Sequence, residues 1–364
     1  MNTLIKSLLG LAFAVIFIAF IGLLTLTQWL DPNDYKDEIQ NVAKEQGVSL
    51  KLEGDITWQF FPSIGLSIQS LALSPLGSKE EPIVRIGSLA ASVKLMPLFN
   101  QEVYVDGIKI DQAMFNLKID KQGRGNWEGL SQNSNAPSST PAEQDSSDEL
   151  PTQFNLAMQT LQISHSEFTL QDLASKQTFS LKELNLNSAN LNLAKKAFPF
   201  SLEVVAHSST LAAPLKLALK ASIVGSEKSL SLDQLNITVD ETTFKGQANV
   251  PDLSRGAFSL QLNGDHLNID KYLVAATTNT APTGATPGNA PAVDANAPLL
   301  PLDTLRALEF ELQMGLQSLI AEGMKFSEID ISARAKDGVI TLDKMNAGFY
   351  QGTIKANSTI DARG

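Results

Sequence analysis

The chain has no cysteine, which removes disulfide scaffolds, thiolate zinc sites, iron–sulfur clusters and cysteine nucleophiles together. Histidine is nearly as scarce. His165, His207 and His266 stand far apart, with no H-x-x-x-H pair and no carboxylate cluster at metal spacing. No metal or cofactor is expected. Basic residues are also short: 28 Lys+Arg face 39 Asp+Glu for a net charge of -11, so the footprint that a phosphate backbone requires is missing. Nucleic acid is not an expected partner. Serines adjoin His165 and His207, but neighbours in a strand point to opposite faces and do not form nucleophile–base pairs. Asp106 and Asp111 sit in alternating segments and read as solvated acids. Lys121 to Trp127, KQGRGNW, matches neither a P-loop nor a dinucleotide fingerprint and reads as a turn with a packed indole. No catalytic constellation emerges, and an enzyme is not expected.

What is present begins with an apolar run. Ser7 to Leu30, SLLGLAFAVIFIAFIGLLTLTQWL, carries no charge, and at about 1.5 Å per residue it is long enough to cross a hydrocarbon core of roughly 30 Å. A cleaved signal peptide would have a shorter apolar region and an A-x-A-like site; the run from Leu8 to Leu26 is too long, and Thr25-Leu26-Thr27 is a poor cleavage site. Lys6 and the terminal amine precede the span, whereas Asp31, Asp34 and Asp37 follow it with Lys36 as the only nearby base. The positive-inside rule therefore puts residues 1–6 in the cytoplasm, the anchor at 7–30, and everything after Leu30 across the membrane. Lys6 and Trp29 are the candidate membrane-interface residues.

After the span, Asn33 to Gln46 reads as one short amphipathic helix: capping and acidic residues open it, and Tyr35, Ile39, Val42 and Ala43 recur at helical spacing before Gly47. From Val48 the period becomes two. Leu66–Gln69, Val103–Asp106 and Phe115–Asp120 alternate, and the alternation is strongest at Leu215, Leu217, Leu219, Ala221 and Ile223. It continues through Leu235-Ile237-Val239, Phe244 to Val250, Phe258-Leu260-Leu262 and, later, Leu308, Phe310, Leu312, Met314 and Leu316. Segments 131–152 and 277–298 are rich in Ser, Thr, Asn, Ala and Pro and are expected to be disordered linkers. They divide the body into an N-terminal β region with its helix (31–130), a central β-repeat region (153–276) and a C-terminal β region (299–364). Because the visible connections are short, an antiparallel meander of fifteen or more strands is expected.

One helix cannot cover that many one-sided strands. Either the sheet folds back as a sandwich or barrel, or it curls into a long trough whose apolar lining meets a ligand. Leu215, Leu217, Leu219, Ile223, Phe258, Leu260, Leu308, Phe310 and Leu312 are the candidate lining residues. Ordinary core packing is the competing reading for each of them.

DPNDYKDEI after the span, LEGDITWQFFPSIGLSIQSLALS, GSLAASVKLMPLFNQEVYVDGIKIDQAMFNLKIDKQGRGNWEGL, LLPLDTLRALEFELQMGLQSL and DGVITLDKMNAGFYQGTIKANSTIDARG together resemble the AsmA family. The resemblance implies a mainly β protein: an N-terminal transmembrane helix, then a long antiparallel, twisted β-groove related to TamB-like and bridge-like lipid-transfer proteins. It further implies a Gram-negative inner-membrane anchor, a periplasmic body, and a part in outer-membrane biogenesis. Phospholipid acyl chains and the inner membrane are the implied partners, with a periplasmic or outer-membrane protein to complete a bridge. Part of the family implies a different role, in the regulation of protein targeting to membranes. Further strands ordinarily follow the last of these blocks, so a C-terminally truncated or short member is expected.

Overall fold

The computed structural model describes residues 31–59, 63–78, 80–94, 105–130, 157–273 and 306–363. The expected anchor at 7–30 and both expected linkers lie outside the described residues. Among the described residues no helix is long and apolar enough to cross a membrane. The described chain opens with a 3-10 turn, Pro32–Tyr35, whose Asp31 cap accepts from the Asn33 backbone N–H. Helix α1, Lys36–Glu45, follows directly. The expected single helix is thus a tight turn running into an α-helix.

The rest of the described chain is mostly strand, with short 3-10 turns at Glu128–Leu130 and Ile269–Lys271. β1 (Val48–Leu52), β2 (Ile56–Gln59), β3 (Ile64–Pro75), β4 (Val84–Val93) and β5 (Val105–Ile119) form the first stretch. β6 (Ala157–Asp172), β7 (Gln177–Asn192), β8 (Phe198–Ser208), β9 (Leu215–Gly225), β10 (Leu230–Val239), β11 (Thr242–Asp252) and β12 (Ala257–Asn268) form the second. β13 (Phe310–Ala321), β14 (Met324–Lys336), β15 (Val339–Phe349) and β16 (Gly352–Asp361) form the third. All sixteen belong to one open sheet in which each strand from β3 onward lies beside its successor, while β1 and β2 share β3 as their partner.

The sheet is not antiparallel throughout. β5 pairs with β6 in parallel, and so does β12 with β13. A parallel step needs about a dozen residues or more to carry the chain back to the starting end. The two Ser/Thr/Pro-rich segments fall at these two places, so the short-connection argument holds within each stretch and fails between them. Hairpins inside a stretch use the expected chemistry: Asp337-Gly338 and Glu322-Gly323 both turn with positive φ at each central residue, as a type I′ turn requires.

A second departure from simple alternation recurs within strands. Apolar side chains that step by two take a single step of three, as at Ile68→Leu71, Ile110→Ala113 and Leu232→Leu235. In each case the residue just before the second apolar one has a left-handed backbone: Ser70 at φ 49°, Gln112 at 55° and Gln234 at 51°. His165, Glu183 and Glu328 do the same in β6, β7 and β14. The twist of the extra residue restores the apolar face to the side it had left. Asp111 pairs with Ser164 and Met114 with Glu167, so Gln112 and His165 stand side by side across the parallel junction. Such aligned irregularities bend neighbouring strands together.

Polar clamps hold the junction regions. The Asp270 carboxylate accepts from the backbone N–H groups of Glu322 and Gly323 at 2.5 and 2.8 Å, tying the end of β12 to the β13–β14 turn. Nearby, the Tyr272 hydroxyl donates to Asp240, and desolvation, followed by the Asp240 carboxylate, pushes the phenol from 10.0 up to about 12.

Two outcomes test these features. A β-branched residue is poorly tolerated at positive φ, so Gln112→Val should lose about 1–2 kcal/mol relative to Gln112→Gly in urea denaturation; equal stabilities would show that the left-handed residue is dispensable. The raised phenol favours the protonated form in the fold. Its contribution is complete below pH 10 and is lost as the pH rises through about 12. Tyr272→Phe should therefore flatten the alkaline limb of the stability profile, and an unchanged limb would refute the assignment.

Candidate functional site

Register across the sheet collects the apolar side chains into rows. Leu50, Leu73, Val84, Phe115, Phe168, Leu181, Ala206 and Leu215 are successive partners from β1 through β3 to β9. A second row runs Phe198, Ile223, Leu232, Ala248, Leu260, Leu312, Ala333 and Leu342 from β8 to β15, and reaches Ser358 on β16. Leu215 and Ile223 have the same parity on β9, so both rows lie on one face. Every member before Ser358 is apolar, and both parallel junctions are crossed without interruption.

The opposite face is as uniform in the other sense. Lys109, Gln162, Asn187, Ser201, Lys220, Asn236, Lys245 and Asn263 are successive partners from β5 to β12. Gly315, Asp330, Asn346 and Lys355 extend that row to β16. Hollows of about 880 and 850 Å³ are lined mainly from this polar side, beside Asn187, Ser201 and Lys220 and beside Gln261, Gln313 and Asp330. The apolar face is an extended surface, suited to a long apolar ligand more than to a compact one.

Packing on the apolar face is lateral. Phe198, Ala221, Ile223 and Leu235 gather half-buried neighbours from β7 to β12; Leu52, Ile56 and Leu71 gather theirs from β1 to β4; Leu316, Ile329 and Ala347 gather theirs from β11 to β14. Each cluster comes from strands near one another in the sheet, as expected of one layer and not of two sheets meeting. Apart from short 3-10 turns, α1 is the element packed on the sheet among the described residues, and it sits on β1. Large apolar side chains stay partly open: Phe258 is 40% exposed while its ring stacks on Phe310 at 5.8 Å.

The candidate lining residues fall on this face as follows. Leu215 lies in the first row, and Ile223, Leu260 and Leu312 in the second. Leu217 and Leu219 lie between the rows, against Val204 and Leu202 on one side and Val239 and Ile237 on the other. Phe258 pairs with Phe310, and Phe310 with Ala335. Leu308 precedes β13 and is half-buried. Lys6 and Trp29 are outside the described residues. Alternation by twos marks Phe115 and Leu235 within their own segments but does not join them to the candidate face, and it singles out neither Phe168 nor Phe198. For Phe115, Phe168 and Leu235 the available signal is the three-residue step, which carries the face past the left-handed Gln112, His165 and Gln234.

Among the described residues the polar side chains are engaged in structural contacts. His165 Nδ1 lies 2.8 Å from Asp111 Oδ1 across the β5–β6 junction, a contact that joins residues 54 apart in the chain. The neighbouring Ser166 hydroxyl is committed: it donates to the Ser164 carbonyl at 2.9 Å and accepts from the Ala113 N–H at 3.0 Å. It therefore satisfies the backbone at the crease and is not poised against His165. Among the described residues no group of three or more His, Asp or Glu side chains could hold a metal ion. In KQGRGNW, Asp120 accepts from the Arg124 and Gln122 backbone N–H groups, and the Trp127 ring covers Gly125 so closely that a side chain there would collide with it.

Comparison with known proteins places the sequence in a family. The AsmA family model matches residues 3–213 and 208–364. Protein AsmA of Escherichia coli (strain K12) is 20% identical over 385 aligned residues, covering 94% of this chain and 61% of the relative. The chain thus spans about three fifths of the length of that relative. No solved structure matches.

Burial separates side chains that seal the sheet from those that line the open face. Leu235 is 3% exposed, so Leu235→Ala should cost about 2–5 kcal/mol in denaturant unfolding. Leu260 is only half-buried and its truncation should cost about 1 kcal/mol. Equal large losses would indicate that Leu260 sits in a closed core.

Proposed function

Because the chain belongs to the AsmA family, we propose that it is a non-enzymatic, inner-membrane-anchored protein whose periplasmic β-groove binds or transfers phospholipid between the inner and outer membranes, contributing to outer-membrane biogenesis. The observation that carries this reading is the pair of apolar rows, unbroken from Leu50 to Leu342, with no second layer over them among the described residues. An acyl chain leaving a bilayer exposes surface costing about 0.8 kcal/mol per CH₂. A face of Leu, Ile, Val, Ala and Phe offsets that cost at every strand, while the headgroup stays in water at the rim. No covalent chemistry is needed for such transfer.

Fifteen strands lie side by side on the sheet path, and at ~4.8 Å each they extend about 70 Å. A bridge between two membranes then calls for more strands, an oligomer or a protein partner. A second reading takes the same open apolar face as a surface that another protein covers, since exposed apolar patches also mark protein–protein contacts. On that reading the chain is a scaffold that assists outer-membrane protein assembly or restrains protein targeting to the membrane, without conducting lipid.

Photo-crosslinking amino acids at Leu217 or Leu260 distinguish the two. Phospholipid should be captured in cells from either position, and a control at Lys220 on the polar face should capture none. Capture of protein alone, or of nothing, at Leu217 and Leu260 would sink the lipid reading. A charged residue at Leu217 should leave the fold intact and abolish lipid capture; unfolding instead would favour the scaffold.

A further inference from the structure

Helix α1 is attached the wrong way round for an amphipathic helix. A surface helix ordinarily buries its apolar stripe against the body and turns its polar face to water. Here the contacts to the sheet are polar. Asn33 grips the backbone of Ile56 at both groups, donating to its carbonyl at 3.0 Å and accepting from its N–H at 2.9 Å. Lys36 pairs with Asp55 at 3.3 Å, and the Gln40 side chain accepts from the Leu52 N–H at 3.3 Å. The half-buried positions are accordingly Asn33, Lys36, Gln40 and Ala43, whereas Tyr35, Ile39 and Val42 are 50%, 37% and 54% exposed.

Those three apolar residues fall within about 60° on a helix turning 100° per residue. They form a stripe that no described residue covers, and no residue of α1 is fully buried. Their position in the chain says what does cover them. The charge-free run ends at Leu30, and five residues reach at most about 18 Å, so Tyr35 cannot lie far from the surface of any bilayer that the run crosses. Asp31 already caps the first turn, which leaves no slack to swing the helix away. The charges do not supply the attraction: four acids, Asp34, Asp37, Glu38 and Glu45, outnumber Lys36 and Lys44, so apolar contact must hold the stripe at the bilayer.

We propose that α1 is an interfacial helix. Its polar side is fastened to the β1–β2 edge, and its Tyr35–Ile39–Val42 stripe is seated at the headgroup–acyl boundary of the same membrane that holds the anchor, about 5–10 Å deep. The helix thereby fixes the attitude of the sheet on the bilayer, with β1, the first member of the apolar row, beside the lipid. This inference rests on the anchor proposed above, and the test separates the two.

The chain has no cysteine, so single-cysteine variants of the full-length protein can be labelled cleanly with an environment-sensitive fluorophore. They are reconstituted in phosphatidylcholine vesicles with or without lipid carrying a nitroxide near the headgroup or deep in the acyl chain. Ala19→Cys reports the anchor, Ile39→Cys and Val42→Cys the stripe, and Asp37→Cys the solvent side. The stripe labels should be blue-shifted and lose intensity to the shallow nitroxide, the Ala19→Cys label should lose it to the deep one, and the Asp37→Cys label should do neither. Added anionic lipid should leave the stripe signals unchanged. If the Ala19→Cys label is quenched while the stripe labels behave like Asp37→Cys, the anchor stands and the interfacial helix is refuted. Stripe labels that are blue-shifted but not quenched by lipid would mean that a protein covers the stripe, which also overturns the proposal. An unquenched Ala19→Cys label would remove the anchor and this inference with it.

Discussion

Register is the constraint on which the rest of this structure depends. In a sheet with one apolar and one polar face, a slip of a single residue turns the affected strand's side chains to the wrong side. The rows from Leu50 to Leu215 and from Phe198 to Leu342 cross fourteen of the sixteen strands without such a slip. Short hairpin turns set the register within each antiparallel stretch. They cannot do so at the two parallel junctions, where long segments intervene. There the match of Phe115 to Phe168, and of Leu260 to Leu312, must itself set the alignment. A slip by one at β12–β13 would place Leu312 beside Gln261 or Ser259 and leave both faces mixed along the pair.

The same constraint explains the left-handed residues. A strand that bends to keep a long sheet curved needs an extra residue, and an extra residue alone would invert the face. A positive-φ residue absorbs it, at a conformational cost of about 1–2 kcal/mol for a side chain other than glycine. That Ser, Gln, His and Glu occupy these places suggests that solvated side chains on the polar face offset some of the cost. Gln112, His165 and Glu183 occupy strands β5, β6 and β7, and His165 reaches Asp111 while Asn185 accepts from the His165 N–H at 3.0 Å. Polar side chains thus stitch the crease on the side where water is available.

Much of this was legible in the sequence, and what was not has definite physical causes. Alternation at Leu215–Ile223 and Phe258–Leu262 marked strands and their apolar parity, because a half-buried strand has no other economical pattern. Parallel pairing was hidden because it depends on what a long polar connection permits, and segments such as 131–152 carry no pattern of their own. Phe115 and Leu235 were marked within their own alternating segments, but the count by twos could not join them to the face across the whole strand, because the left-handed Gln112 and Gln234 change the parity without any residue type being obligatory there. Helical spacing grouped Tyr35, Ile39, Val42 and Ala43; the first three share a stripe that faces away from the sheet, whereas Ala43 is half-buried on the other side with Lys36 and Gln40. Periodicity identifies the apolar side of a helix and says nothing of what it meets. The contact between His165 and Asp111, formed across the parallel step, could not be anticipated without knowing that pairing.

The separation of faces bears directly on how a lipid could move. Transfer along a surface is slow if any site holds its cargo much more tightly than the next, so a conducting face should be monotonous and lack a deep pocket. The second row has that character: Ile223, Leu232, Ala248, Leu260, Leu312, Ala333 and Leu342 differ in size, not in chemistry. A closed core would be selected for the opposite quality, tight and unique interlocking of side chains. The stacked yet exposed Phe258, and the half-open leucines beside it, are poor components of such a core. They suit an open face that presents much the same apolar environment at each strand.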